Sequence, residues 1–434
     1  MTGLGSKQMN RAAACLSLLL TFAATAGCTT FQPHMIPAPA VFRDARLDMA
    51  VRLPPELRST EVPVFYATTR APVDPGKPGH YTDSAGDGVM LGKASVRLGP
   101  PGWQWEDLLA SDRTDTFGHA RPAAVEGIEE LGRWSSEEGT SAAERAFIAG
   151  INAQLARTRN PELVLYVHGY RVYFDEVTTM MGSWSHYLGH GALVTFQWPT
   201  GQNFWNYLTD CPRAEQYVPD IERLIALVSQ SRAESINIIA YSCGSPLLGQ
   251  ALARLRARHP QEDRAQLAKR YRIGNVIFAA SDVDLKTFAG EYMPPVMDLA
   301  RQTIVYMSRN DAALGFSTLI AGASRLGKPN IDDLSVQDIE RLAADPRFQA
   351  IDVTDVRGAH EMGGMRGHGY WYANDWISSD VTLSLRHPIP PAKRCLIPGP
   401  RGVIWKFPEN YIDCLVERLG AAYPESRRAA PKGP

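Results

Sequence analysis

Five short apolar runs in the middle of the chain restrict its fold more than any other feature. Leu163 to Val167, Leu193 to Phe196, Ile236 to Ala240, Val276 to Ala279 and Thr303 to Met307 are nearly continuous in apolar side chains. Runs of this kind, without in-and-out alternation, are expected of strands covered on both faces. Helical periodicity lies between them, clearest where Leu247, Leu248, Ala251, Leu252 and Leu255 recur behind Pro246, a residue favoured in a first helical turn. Strands alternating with helices predict an α/β fold built on a mostly parallel, doubly wound sheet. Upstream, Val62 to Tyr66 and Leu91 to Leu98 read as an antiparallel pair at the N-terminal edge, and the polar stretch Gly99 to Ser141 reads as a decoration without assigned structure.

The N-terminus must be set aside before the fold is counted. Lys7 and Arg11 precede Ala12 to Ala26, a stretch with the length of a signal-peptide apolar region and too short to span a bilayer comfortably. Its end, Thr25-Ala26-Gly27-Cys28, resembles a bacterial lipobox, which makes Cys28 the candidate lipidated residue. A lipobox usually carries Leu where this chain has Thr25, so ordinary cleavage to a soluble periplasmic or secreted protein stays open. Thr29 after the Cys, in place of Asp, implies the outer membrane for the anchored form. The expected organisation is a signal peptide (1–27), a lipid-anchored tether (28–59), the α/β domain (60–385) and a C-terminal extension (386–434).

Six Cys fit an exported chain. With Cys15 in the signal and Cys28 at the candidate lipid site, four remain, and four permit three pairings. Cys395 and Cys414 are expected to bridge, because both lie in the extension and close a short loop. Cys243 is expected to stay unpaired, because a bridge there would crowd the turn described next.

The run Ile236 to Ala240 leads into Tyr241-Ser242-Cys243-Gly244-Ser245 and then the helix pattern. A serine nucleophile at a strand-to-helix turn needs small residues two before and two after it, which Ala240 and Gly244 supply. A helix-capping Ser is the structural alternative. An oxyanion site needs main-chain N–H groups from the residue after the nucleophile and from a loop behind an earlier strand. Those are Cys243 and, in Val167-His168-Gly169-Tyr170, Tyr170. His168 precedes the Ser and is read as structural, since the chain order for this kind of turn is Ser, acid, His. Downstream, Asp311 follows the run Thr303 to Met307 and is the first choice of acid, with Asp282 and Asp284 as competitors. His368, between Gly367 and Gly369, is favoured as base over His360, and His387 lies later in a Pro-rich tail.

Seven motifs in order carry a resemblance: Val64-Phe65-Tyr66-Ala67-Thr68-Thr69-Arg70, Val167-His168-Gly169-Tyr170, Phe196-Gln197-Trp198-Pro199, Ala240-Tyr241-Ser242-Cys243-Gly244, Ala280-Ser281-Asp282-Val283-Asp284, Ser308-Arg309-Asn310-Asp311-Ala312-Ala313-Leu314 and Gly367-His368-Gly369-Tyr370. Over about residues 60 to 385 the chain resembles the bacterial α/β-hydrolases long filed as a domain of unknown function, with expected esterase or lipase activity. The resemblance implies an α/β-hydrolase fold and a triad of Ser242, Asp311 and His368. Family members usually have His-Ser-Met-Gly where this chain has Tyr241-Ser242-Cys243-Gly244, and Asn where it has Arg171, differences that bear on the substrate pocket.

Lys plus Arg number 45 against 46 Asp plus Glu, without a long basic run, so no nucleic-acid partner is expected. Neither a C-x-x-C nor an H-E-x-x-H spacing occurs, nor a phosphate-binding G-x-x-x-x-G-K-[ST] loop, so no metal and no nucleotide or other cofactor is expected. The reading is a serine hydrolase of carboxylic esters acting on a small-molecule or lipid ester through an acyl-enzyme. An acyltransferase with the same triad and a non-catalytic envelope scaffold on the same fold are the alternatives. Aromatic clusters at Phe204 to Tyr207 and at Tyr370 to Tyr372 with Trp376 are read as core or as pocket walls.

Overall fold

The computed structural model describes residues 33–428 apart from 52, 115–119, 135–140, 160, 361–366, 387–388 and 400–403. Cys28 and the whole signal segment, and likewise His387, lie outside the described residues.

Eleven strands form one sheet: β1 (Glu61–Pro72), β2 (Tyr81–Leu98), β3 (Ala123–Arg133), β4 (Glu162–Val167), β5 (Ala192–Gln197), β6 (Ser235–Tyr241), β7 (Ile273–Ala279), β8 (Gln302–Met307), β9 (Phe348–Asp352), β10 (Ile397–Pro398) and β11 (Ile404–Lys406). Their spatial order is β10-β11-β9-β8-β7-β6-β4-β5-β1-β2-β3. From β1 across to β11 every pairing is parallel. The two edges are antiparallel, β1 with β2 and β3 at one side and β10 with β11 at the other. The five apolar runs are β4 to β8, and the sheet is the mostly parallel, doubly wound one that they predict.

Burial on both faces accounts for those runs. In β4, Leu163, Leu165 and Val167 enter one core while Val164 and Tyr166 enter the other. In β6, Ile236, Ile238 and Ala240 face the first and Ile239 and Tyr241 the second. The helix Gly244–Ala257 returns Leu247, Leu248, Ala251, Leu252 and Leu255 to the first core. Each such side chain withdrawn from water contributes roughly 1.5–3 kcal/mol before the cost of ordering the chain is counted.

Three segments differ from expectation. The stretch left unassigned contains a helix, Trp105–Thr114, and the whole of β3, whose ladder to β2 is broken by two register shifts. Weak alternation in Ala123–Arg133 reflects a strand with only one residue, Ala123, fully buried. The supposed tether is built into the body from Met35 onward. Met35 donates its N–H to the Arg121 carbonyl, Ile36 donates its N–H to Ser183 Oγ, and Val41, Leu47 and Leu57 are buried. A segment carrying that much apolar surface gains more by packing than by remaining extended in water. The C-terminal extension likewise belongs to the sheet through β10 and β11 and adds the helix Tyr411–Ala422, whose Tyr411 and Leu415 are buried. Its bridge is the expected one, Cys395 with Cys414, Cα atoms 6.0 Å apart.

Candidate active site

The site forms where three parallel strands end. β6 runs to Tyr241 and the helix behind it starts at Gly244, which leaves two residues to reverse the chain. Ser242 makes that reversal with φ 51°, in the left-handed region where a Cβ is strained. Its N–H donates to the Ala279 carbonyl, and its carbonyl accepts from Asp282 and Ser245. Glycine is required on both sides of the turn. A Cβ at Gly244 would lie 2.4 Å from the His168 carbonyl oxygen, and one at Gly169 would lie 2.8 Å from Ser242 Cβ. The small residues therefore let the end of β4 press against the turn.

His368 Nε2 lies 2.8 Å from Ser242 Oγ, and His368 Nδ1 lies 2.8 Å from Asp311 Oδ2. All three residues are buried, Asp311 completely. Asp311 is the N-cap of the helix Ala312–Ala321, its Oδ1 accepting the Leu314 N–H at 3.0 Å, so the helix terminus orients the carboxylate toward the ring. Burial works to lower the His368 pKa, but the Asp311 charge and hydrogen bond, helped by the charge of Asp282, outweigh it and raise the value. A hydroxyl bonded to an imidazole that is bonded in turn to a buried carboxylate is the arrangement by which a serine hydroxyl is made nucleophilic.

The competing residues lie elsewhere or are engaged differently. Asp282 accepts from Tyr207 Oη and Ser317 Oγ, both at 2.6 Å, with Arg325 Nε 3.3 Å away. Asp284 caps a short helix by accepting from Thr287 N–H. His360 is exposed. His168 is fully buried and stacked on Trp198; its Nε2 accepts the Trp198 N–H and its Nδ1 faces the Gly169 carbonyl, so both nitrogens are occupied. Burial and the nearby charge of Arg70 push its pKa down to about 3. It is a neutral structural group. Neither the Tyr170 nor the Cys243 main-chain N–H finds a main-chain acceptor among the described residues.

One expectation is overturned. Cys243 is bonded to Cys211, with Cα atoms 5.7 Å apart. The bridge does not crowd the turn, because the Cys243 side chain is buried in the core. Cys211 belongs to the short helix Tyr207–Arg213, and the bridge fastens that helix to the turn.

Two side chains have supporting roles that sequence reasoning did not assign. Tyr370 donates its hydroxyl to the Tyr306 carbonyl at 2.7 Å and accepts from the Ala280 N–H at 3.1 Å, which ties the residues after His368 to the ends of β8 and β7. Arg70, fully buried, donates to the Val172 carbonyl at 2.9 Å and to that of Thr82 at 3.3 Å. Thr200 Oγ1 also bonds both main-chain groups of Val172, so the loop carrying Tyr170 is held from β1 and from the loop after β5. The signals, an aromatic two residues past the His and a cation inside an apolar strand, were present in the motifs, but their partners are distant in sequence. Of the aromatic clusters, Tyr370 and Trp371 are fully buried whereas Trp205 is exposed.

Among the described residues no group of His, Cys, Asp and Glu is arranged to hold a metal ion, and no helix is long and apolar enough to cross a membrane. No curated protein matches the chain. A solved structure of a candidate hydrolase from Legionella pneumophila is 10% identical over 79% of this chain and 91% of its own, with a TM-score of 0.20, a likeness that carries no argument. The model of a family described as alpha/beta hydrolase of unknown function (DUF900) matches residues 143–383, more than half of the 434-residue chain and all of the segment from β4 to the helix behind His368. The protein therefore belongs to this family of α/β-hydrolases.

Proposed function

We propose that this hydrolase cleaves carboxylic esters through an acyl-enzyme on Ser242. The observation that carries the reading is the continuous bonding of Ser242 Oγ to His368 and of His368 to Asp311 at a left-handed strand-to-helix turn. Ser242 Oγ bonds to the acyl carbon as His368 Nε2 takes the hydroxyl proton. The bond to the alcohol oxygen then breaks as that proton is returned to the leaving group. Water repeats both steps and frees the acid. The N–H groups of Tyr170 and Cys243 hold the oxyanion, and Asp311 holds the imidazolium. A fluorophosphonate probe should label Ser242 in the intact protein, and p-nitrophenyl esters should be turned over. An unlabelled protein with no turnover would overturn the reading.

From sequence alone we also propose that the protein is an envelope lipoprotein anchored through Cys28 and sorted to the outer membrane. A diacyl thioether plus an N-acyl chain buries many CH2 groups at about 0.8 kcal/mol each, far beyond reversible attachment. Cys28→Ser should release the protein from the membrane fraction or block its processing; unchanged fractionation and mass would favour ordinary signal cleavage.

A further inference from the structure

We infer that the acyl part of the substrate is a long apolar chain, held along an aromatic path leading from the Ser242 turn to an exposed apolar patch. The inference rests on the ester-hydrolase reading above and specifies its substrate. The path begins at Tyr170, whose N–H is assigned to the oxyanion. Its ring lies 5.8 Å from that of Tyr207, which lies 6.3 Å from Phe316. Phe316 lies 5.1 Å from Phe204, and Phe204 lies 5.3 Å from Trp205.

The two segments that carry these rings are both fastened to the site. The segment 204–213 is held through the Cys211–Cys243 bridge and the Tyr207 hydrogen bond to Asp282. The helix Ala312–Ala321 is held through its cap Asp311 and through Ser317, which donates to Asp282 at 2.6 Å. Beyond the rings several large apolar side chains meet water. Trp205 is 54% exposed, Leu208 45%, Leu319 80% and Ile320 49%, four of the few large apolar side chains so exposed among the described residues. Leu319 and Ile320 follow Phe316 by three and four positions, and Leu208 follows Trp205 by three, so each set shares a helical face with the rings beside it. The helix Ala312–Ala321 contains no charged residue, although its outer face meets water. An apolar surface of this kind marks a binding face. Its continuity with the loop that carries Tyr170 places this face beside the ester, and the acyl chain is the occupant we infer for it.

The test is kcat/KM for p-nitrophenyl esters from butyrate to laurate, each below its micelle concentration. It is run on the full-length protein, on Trp205→Ala and on the double variant Leu319→Ser with Ile320→Ser, fluorophosphonate labelling of Ser242 certifying each fold. The wild-type laurate-to-butyrate ratio should exceed about ten, and each variant should reduce that ratio about tenfold, as expected when apolar contact with several methylenes is lost. A flat or falling wild-type profile, with short esters still turned over, would overturn this inference alone; no turnover of any ester would overturn the proposed function and this with it. An unchanged ratio in both variants would also overturn it. In that case a change from dimer to monomer on sedimentation would identify the patch as a contact with a second copy, and lost flotation with phosphatidylcholine vesicles would identify it as a membrane face.

Discussion

Ser242 holds a left-handed conformation that costs a residue with a Cβ about 1–3 kcal/mol. The surrounding turn over-determines it, through hydrogen bonds from its own N–H and to its own carbonyl and through the contacts that Gly169 and Gly244 permit. Ser242→Ala keeps all of these, so its melting temperature should match the wild type while ester turnover falls about 10⁶-fold. His368→Ala should be nearly as severe and His360→Ala mild; the opposite ranking in steady-state kinetics would place the base at His360. The raised pKa of His368 has two consequences of opposite sense. Turnover needs the neutral ring, so the acid limb of kcat/KM against pH should have its midpoint above 6.5, the ordinary histidine value. The stability it lends through Asp311 is fully present below the unfolded-state pKa and declines as pH rises through the raised folded value. A limb centred below 6.5 would show that burial prevails over Asp311. At this scale the candidates Ser242, Asp311 and His368 were legible in the turn chemistry and in their order along the chain, whereas setting Asp282 aside needed the spatial fact that it bonds Tyr207 and Ser317.

The helix Tyr207–Arg213 has seven residues and Pro212 inside it, too short and interrupted to be stable by itself. The Cys211–Cys243 bridge and the Tyr207 bond to Asp282 keep it beside the site. Closing a 32-residue separation stabilises by roughly 3–4 kcal/mol in the chain-entropy account. Cys211→Ser should lower the free energy of unfolding by that order and reduce kcat, because Cys243, proposed to donate to the oxyanion, loses its tether. Peptide mapping after alkylation without reduction should recover the 211–243 and 395–414 linked pairs, and a free Cys243 thiol would refute the first. Spacing could suggest the second pair, whose members are 19 residues apart in one extension. The first was not legible, because it depends on where a helix between β5 and β6 comes to rest against the turn after β6.

Across the whole molecule, the segment before β1 and the C-terminal extension pack against each other: Leu47 forms a β-bridge with Arg427, Asp48 donates its N–H to the Ser426 carbonyl and Arg46 bonds Asp413. Met35, Ile36, Val41, Leu47, Leu53 and Leu57 are all buried, each contributing roughly 1.5–3 kcal/mol of gross apolar transfer. Set against a typical net stability of about 5–15 kcal/mol, a protein starting at residue 60 should be unfolded or aggregated, whereas one starting at residue 33 should melt as the mature protein does. Equal melting of the two forms would show that this segment is a tether after all. What the sequence by itself determined is whatever depends on near neighbours: five strands buried on both faces, the parallel sheet they require and the turn at Ser242, whereas the meeting of Ser242 with His368 and Asp311 depends on segments far apart in the chain. Tertiary structure decided what depends on distant segments meeting. It decided that β3, β9, β10 and β11 extend the sheet, though each is too short or too exposed to carry its own period. It also decided that the N-terminal segment packs and that Cys243 finds Cys211. The physical reason is common to them: a short or weakly patterned segment gains its stability from the surface it lands on, and that surface exists only once the strongly patterned strands have assembled.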